Sequence, residues 1–214
     1  AAIAAGVFIA DAERRGRRAR RLASLTFATF LQLLSLLRLA RLDLSALDRL
    51  AEEGSLVVAP NHPSMMDAVL MVSRMPDAIC IMKSTIGQNW LLGLGARLSG
   101  YIRNDRPHTM IRESIAAVRA GHQLLIFPEG TRTRQFPVSE LAGAFALIAR
   151  RARAPVQVVV IETNSRFLAK GWPLSSTITL PPEKPRNSPW MVDWIGSAAT
   201  LENGSLRSAW ILRW

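Results

Sequence analysis

His62 and Asp67 stand five positions apart in Asn61-His62-Pro63-Ser64-Met65-Met66-Asp67. On one continuous helix, positions five apart are separated by about 140° and do not meet. Pro63 favours the first turn of a helix, which places His62 just before the helix start and lets it fold back toward Asp67. An imidazole held by a carboxylate at Nδ1 keeps Nε2 free as a general base. Taken alone the spacing is equally that of a structural histidine satisfied by a nearby acid.

The base has no partner nucleophile of its own. There is no G-x-S-x-G elbow, the single Cys80 lies in a buried apolar run, and no serine has the context of a nucleophile. The economical chemistry is removal of a proton from the hydroxyl of a bound acceptor. A second cluster, Phe127-Pro128-Glu129-Gly130-Thr131-Arg132-Thr133-Arg134, sets a carboxylate, a flexible glycine, a hydroxyl and two guanidiniums together. Arginine's planar fork suits phosphate oxygens, and Glu129 among these cations stays ionised and orients them. A third, Gly100-Tyr101-Ile102-Arg103-Asn104-Asp105-Arg106, again puts cations beside a glycine. With Lys83, the residues Arg103, Arg106, Arg132 and Arg134 make a candidate anion pocket near His62. Surface charge unrelated to any site is the competing reading, above all for Arg103 and Arg134.

Each cluster must be carried by an element that ends where it begins. Short apolar runs at 56–59, 78–82, 123–127 and 156–161 read as buried parallel strands, and 66–74, 85–98, 109–120 and 138–151 read as helices. That alternation predicts an α/β fold, a mostly parallel sheet with flanking crossover helices. His62, Lys83 and Glu129 then follow strand ends, where open α/β sheets bind their ligands. The expected organisation is an N-terminal helical region over 1–50, an α/β domain over 51–182 and a Pro- and Trp-rich extension over 183–214. Pro181, Pro182, Pro185 and Pro189 interrupt the pattern there, and Trp190, Trp194, Trp210 and Trp214 either anchor at a membrane interface or pack on the core.

The charge balance points to an anionic partner. Lys and Arg number 27 against 16 acids, a net +11, and only Lys83, Lys170 and Lys184 are not arginine. Six of the arginines fall in residues 14–21, directly before the uncharged stretch 22–37. As a helix those 16 positions span roughly 24 Å, short of the ~30 Å hydrocarbon core. A polybasic block abutting an apolar helix reads as a segment lying in an anionic membrane interface; a core helix or a nucleic-acid arm is the alternative. Residues 1–10 read as the end of a hydrophobic helix or a remnant of a signal-peptide apolar region. With 49% apolar residues, a mean hydropathy of +0.15 and one cysteine, disordered and disulfide-stapled classes are excluded.

Together the three clusters resemble, in order and spacing, the N-H-x4-D, G-x-I-x-x-D-R and F-P-E-G-T-R blocks of the glycerolphosphate and lysophospholipid acyltransferases, the PlsC-like family. The resemblance covers roughly residues 40–182. It implies a membrane-associated O-acyltransferase at the cytoplasmic face of the cell membrane. Such an enzyme moves a fatty acyl group from acyl-CoA or acyl carrier protein to a lysophospholipid hydroxyl, typically that of 1-acyl-sn-glycerol-3-phosphate. It further implies His62 as the base and Asp67 as its orienting partner, with Arg106, Glu129, Gly130 and Arg132 as the acceptor-binding set and Lys83 at a basic position the family often shows; Arg103 and Thr131 join the candidate binding set from their place in the clusters, not from the resemblance. The acyl donor is the only cosubstrate implied, with no metal, no other cofactor and no nucleic-acid partner. Two departures keep the acceptor open, an aminolipid, glycolipid or pigment included. In the fourth block, Pro155 is kept and Val158 stands where a second proline would fall. Arg103 and Asn104 fill positions that are commonly proline or apolar. A non-catalytic binder of anionic membranes or nucleic acid is the reading from another class.

Overall fold

The computed structural model describes residues 2–134, 138–163 and 206–213. Helix α1 (Ala2–Leu36) runs unbroken for 35 residues, about 52 Å, and closes at Arg38, whose φ of 56° is left-handed. Helix α2 (Ser45–Ala51) leads into β1 (Val57–Pro60). There follow α3 (Met66–Arg74), β2 (Ile79–Met82), a 3₁₀ turn (Ser84–Gln88), α4 (Trp90–Leu98), β3 (Ile102–Arg103) and α5 (Pro107–Arg119). Strand β4 (Leu124–Leu125), α6 (Ala144–Ala152), β5 (Val156–Glu162) and β6 (Leu206–Arg213) complete the described elements.

The strands form one sheet in the order β3-β2-β4-β1-β5-β6, every pair parallel. The apolar runs at 56–59, 78–82 and 156–161 became strands because both faces of each are covered. Alternate residues of β1 and β5 feed two cores. Val58, Cys80, Leu125, Val159 and Ile161 pack with Leu31, Leu47, Leu50, Leu70 and Met71 on the side of α1, α2 and α3. Val57, Ala59, Leu124, Val158 and Val160 pack with Met110, Val118, Phe145 and Ile148 on the side of α5 and α6.

Several boundaries differ from the expected ones. The helix over 85–98 is divided: the chain straightens at Asn89, and the 3₁₀ turn folds back so closely that a Cβ on Gly93 would lie 2.4 Å from the Gly87 carbonyl oxygen. Only glycine fits at Gly93. The helix over 138–151 starts at Ala144 because the preceding residues are pinned elsewhere: the Ala142 N–H donates to the Pro128 carbonyl at 2.8 Å. Pro63 stands three residues ahead of α3, outside its first turn, and the first helical N–H, that of Met66, donates to Ser64 Oγ at 3.1 Å. The residues Leu206–Arg213, inside the stretch read as an extension, form edge strand β6. Residues Pro181, Pro182, Pro185, Pro189, Trp190, Trp194 and Trp214 lie outside the described residues.

No helix among the described residues is long and apolar enough to cross a membrane. Helix α1 docks its inner face instead. Arg20, 2% exposed, donates to Asp77 Oδ1 from Nε (3.2 Å) and Nη2 (2.9 Å), and from Nη1 to the Ser99 carbonyl at 3.1 Å. One turn on, Ser24 Oγ donates to the Ser73 carbonyl at 3.0 Å. Leu31 completes the contact in the core beneath α3.

Candidate active site

The loops after β1 and β4 cross. The chain leaves β1 for β2, passing over β4, and leaves β4 for β5, passing over β1, so the two loops must meet above the C-terminal edge of adjacent strands. His62 is in the first loop and Glu129 to Arg134 in the second.

Asn61 extends the β1–β5 ladder beyond Pro60, which has no N–H of its own. Its Oδ1 accepts the Ile161 N–H at 2.6 Å and its Nδ2 donates to the Ile161 carbonyl at 3.2 Å, imitating a strand residue. Immediately after, His62 Nδ1 lies 2.9 Å from Asp67 Oδ2. With the carboxyl ionised it accepts; Nδ1 then carries the hydrogen and Nε2 presents a lone pair. The ring stacks on Phe127, centroids 4.2 Å apart, and the side chain stays 19% exposed. It is neither sunk in the aliphatic core nor free to turn.

Asp67 is fully buried in the first turn of α3, and its Oδ2 also accepts the Ser64 N–H at 2.7 Å. Burial pushes its carboxyl above the usual carboxylate range, while the His62 contact and the Ser64 N–H pull the other way. Its Oδ1 has no hydrogen-bond partner among the described residues.

The backbone of His62 is held as firmly as its ring. Its N–H donates to Glu129 Oε1 at 2.8 Å, and its carbonyl accepts the Thr133 N–H at 2.7 Å. Thr133 Oγ1 donates to the same Glu129 oxygen at 2.8 Å, and Glu129 Oε2 accepts the Ser139 N–H at 2.8 Å. Both oxygens of this 8% exposed carboxylate are thus engaged within the protein. The resemblance set Glu129 among acceptor-binding residues; here it ties two loops together. Ser139 was missed in the sequence, and Thr133 stood in the second cluster without a role of its own.

The remaining residues lie along the same sheet edge. Gly130 takes φ +63° in a turn closed by its N–H on the Phe127 carbonyl, 3.0 Å; a Cβ would meet nothing within 4 Å, so backbone freedom alone requires glycine. Thr131 is exposed and Arg132 half-buried. Lys83 is exposed after β2, and the Ser84 N–H beside it donates to Asn104 Oδ1 at 3.1 Å. Arg103 ends β3 and pairs with Asp105. Arg106 precedes Pro107 at the start of α5, exposed. With strands about 4.8 Å apart, β3 lies three spacings from β1, so Arg103 and Arg106 stand roughly 14 Å along the edge from His62 at the backbone. The structure therefore brings Glu129, Thr133 and Asp67 onto His62 and leaves Arg103 and Arg106 at the far end of the mouth. Cys80 plays no part: buried in β2, its thiol is pushed up to about 12.

The model of the Acyltransferase family matches residues 41–162, more than half of the chain. This chain is a member of the acyltransferase family. The acyltransferase is 34% identical over 128 residues to the putative 1-acyl-sn-glycerol-3-phosphate acyltransferase acl-2 of Caenorhabditis elegans, covering 55% of this chain and 44% of the relative. It thus spans less than half the length of that relative. Among solved structures it is similar to the 1-acyl-sn-glycerophosphate acyltransferase PlsC of Thermotoga maritima, with 22% identity, a TM-score of 0.42, and coverage of 65% of this chain and 73% of that one.

Proposed function

We propose that this acyltransferase moves a fatty acyl group from acyl-CoA or acyl carrier protein to the free hydroxyl of a lysophospholipid, first of all 1-acyl-sn-glycerol-3-phosphate. One observation carries the reading: an imidazole with Nδ1 engaged 2.9 Å from a buried carboxylate, in a side chain that stays 19% exposed. Nε2 of His62 takes the acceptor's hydroxyl proton as the oxygen attacks the thioester carbonyl. The tetrahedral intermediate then expels the thiolate, the C–S bond breaks, and the sulfur receives the proton from the imidazolium. A base of this kind contributes on the order of 10² to 10⁴ in rate.

Half-buried Arg132, on the loop next to His62, holds the acceptor's phosphate, and Lys83 and Arg106 extend that positive mouth. The two departures from the family pattern do not weigh equally. Val158 is fully buried within β5 and packs on the face opposite α3, so it is a core substitution without bearing on the acceptor. Arg103 and Asn104 are exposed at the mouth, where another lipid headgroup would be told apart.

The acceptor is a lipid, so the mouth works at a membrane, on the cytoplasmic side where water-borne donors arrive. Helix α1 supports this. At 100° per residue, Arg14, Arg15, Arg18, Leu22, Leu25, Leu33 and Leu36 share the face opposite buried Arg20, Ser24 and Leu31, and all seven are exposed. The test is transfer of labelled acyl groups, from acyl-CoA and from acyl carrier protein, to a panel of lysolipids, with Arg132→Ala beside the wild type. Product with 1-acyl-sn-glycerol-3-phosphate, and an acceptor KM raised about 10- to 100-fold in Arg132→Ala, is expected. An unchanged KM removes the phosphate assignment, and product only with another lipid moves the acceptor.

A further inference from the structure

A second apolar surface lies on α4. Trp90, Leu94 and Leu98 recur every four residues within an 80° sector, 82%, 53% and 57% exposed, and Ile86 on the preceding 3₁₀ turn is 40% exposed. What lies at the two ends of this stripe indicates what covers it. At the Leu98 end, the carbonyl oxygen of Leu98 would be 3.8 Å from a Cβ on Gly16, and the Ser99 carbonyl accepts from Arg20. The stripe therefore ends within the arginine block of α1, where Arg14, Arg15, Arg17, Arg18 and Arg21 are exposed. At the Ile86 end, the turn begins directly after exposed Lys83, tied through Ser84 and Asn104 to the β2–β3 side of the site's mouth.

We propose that this stripe is a membrane-contacting face, seated in the outer acyl region of an anionic bilayer beside α1, so that the mouth meets the leaflet. A bilayer supplies what both parts need at the right separation: anionic headgroups for the arginines and hydrocarbon a few ångströms deeper for Trp90 and the leucines. Tryptophan suits that boundary because its ring is apolar and its N–H can stay wet. A second copy fits less well, since it would set two arginine blocks of like charge against one another. The orientation rests on the lipid-substrate reading under Proposed function, whereas the contact itself is measurable without turnover.

The test uses the full chain and vesicles of phosphatidylcholine with an equal part of phosphatidylglycerol. The double variant Trp90→Ser, Leu94→Ser is compared with the wild type by co-sedimentation. Binding should weaken at least tenfold, while transfer to a short-chain, water-soluble lysophosphatidic acid stays within twofold. In the wild type, Trp90 emission should shift to the blue on vesicles and be quenched by bromine carried in the acyl chains, a component lost in Trp90→Phe. Should the double variant fail to fold by circular dichroism, the Trp90→Phe comparison decides. Undiminished vesicle binding, or no quenching attributable to Trp90, overturns the proposal. So does Trp90 emission already blue before vesicles are added: independent of protein concentration it means cover by this chain's own residues, dependent on concentration it means a second copy. If no acceptor is acylated yet binding still depends on Trp90 and Leu94, the proposed function fails and this inference stands.

Discussion

His62 is fixed at four points: ring nitrogen, ring face, backbone N–H and backbone carbonyl. Precision of this order matters because a base displaced by about 1 Å can lose 10² in rate. On the proposed mechanism, Glu129 and Thr133 act as positioning residues. Glu129→Gln and Thr133→Val should each lower kcat about tenfold with the acceptor KM unchanged, and Thr133→Ser should restore it; a raised KM at constant kcat would return Glu129 to acceptor binding. Asp67 gives a prediction of opposite sign for stability. Because burial raises its carboxyl, the native state holds the proton at pH values where the unfolded chain has lost it. Asp67's contribution to stability is then fullest below the unfolded carboxyl's titration and declines as pH rises toward the native value, levelling beyond it. Asp67→Asn should flatten that decline and unfold no earlier at neutral pH in urea titrations, while losing activity on the order of 10² or more; an Asp67→Asn chain markedly less stable at pH 7 would contradict this. The His62–Asp67 pair was legible because a turn between strand and helix closes a five-residue gap. The clamp was not, since it joins residues 67 apart through a backbone N–H, which leaves no mark in residue type.

Among elements, the junction of α1 with the domain turns on one guanidinium. Arg20 is one of six arginines in a stretch that reads as a uniform solvated block, yet it alone among them is buried, because Asp77 and the Ser99 carbonyl, 57 and 79 positions away, converge on it. No local feature distinguishes it. Asp77 and Glu13 keep partial access to water, so removal of Arg20 leaves them partly solvated and costs less than stranding a buried charge. Arg20→Ala should cost about 2 kcal/mol in urea unfolding, with Arg20→Lys intermediate because a single ammonium cannot serve both partners. No loss on Arg20→Ala would mean that α1 is held by its apolar contacts alone. The buried strands β1, β2 and β5 were legible from their apolar runs. β3, two residues long, and α2, seven, are too short to show a period, and β6 follows a proline-rich stretch that masks its pattern.

At the scale of the molecule, charge and apolar surface are arranged along one route. The arginine block of α1, the stripe on α4 and the Lys83 turn follow one another from the N-terminal helix to the mouth of the site, and the sheet edge behind that mouth runs from Arg106 to His62. In the sequence, net charge and the apolar stretch after the arginines pointed to an anionic partner, with a membrane interface, a core helix and a nucleic-acid arm as its readings. Their alignment with the site was not legible, because it depends on α4 meeting α1 at Gly16. The proposed mechanism has one chemical centre, the imidazole of His62. Its most direct test is the rate of acyl transfer from acyl-CoA to 1-acyl-sn-glycerol-3-phosphate by wild-type and His62→Ala chains that unfold at the same temperature. A kcat lower by about 10² to 10⁴ in His62→Ala is expected; equal rates in the two chains would contradict it.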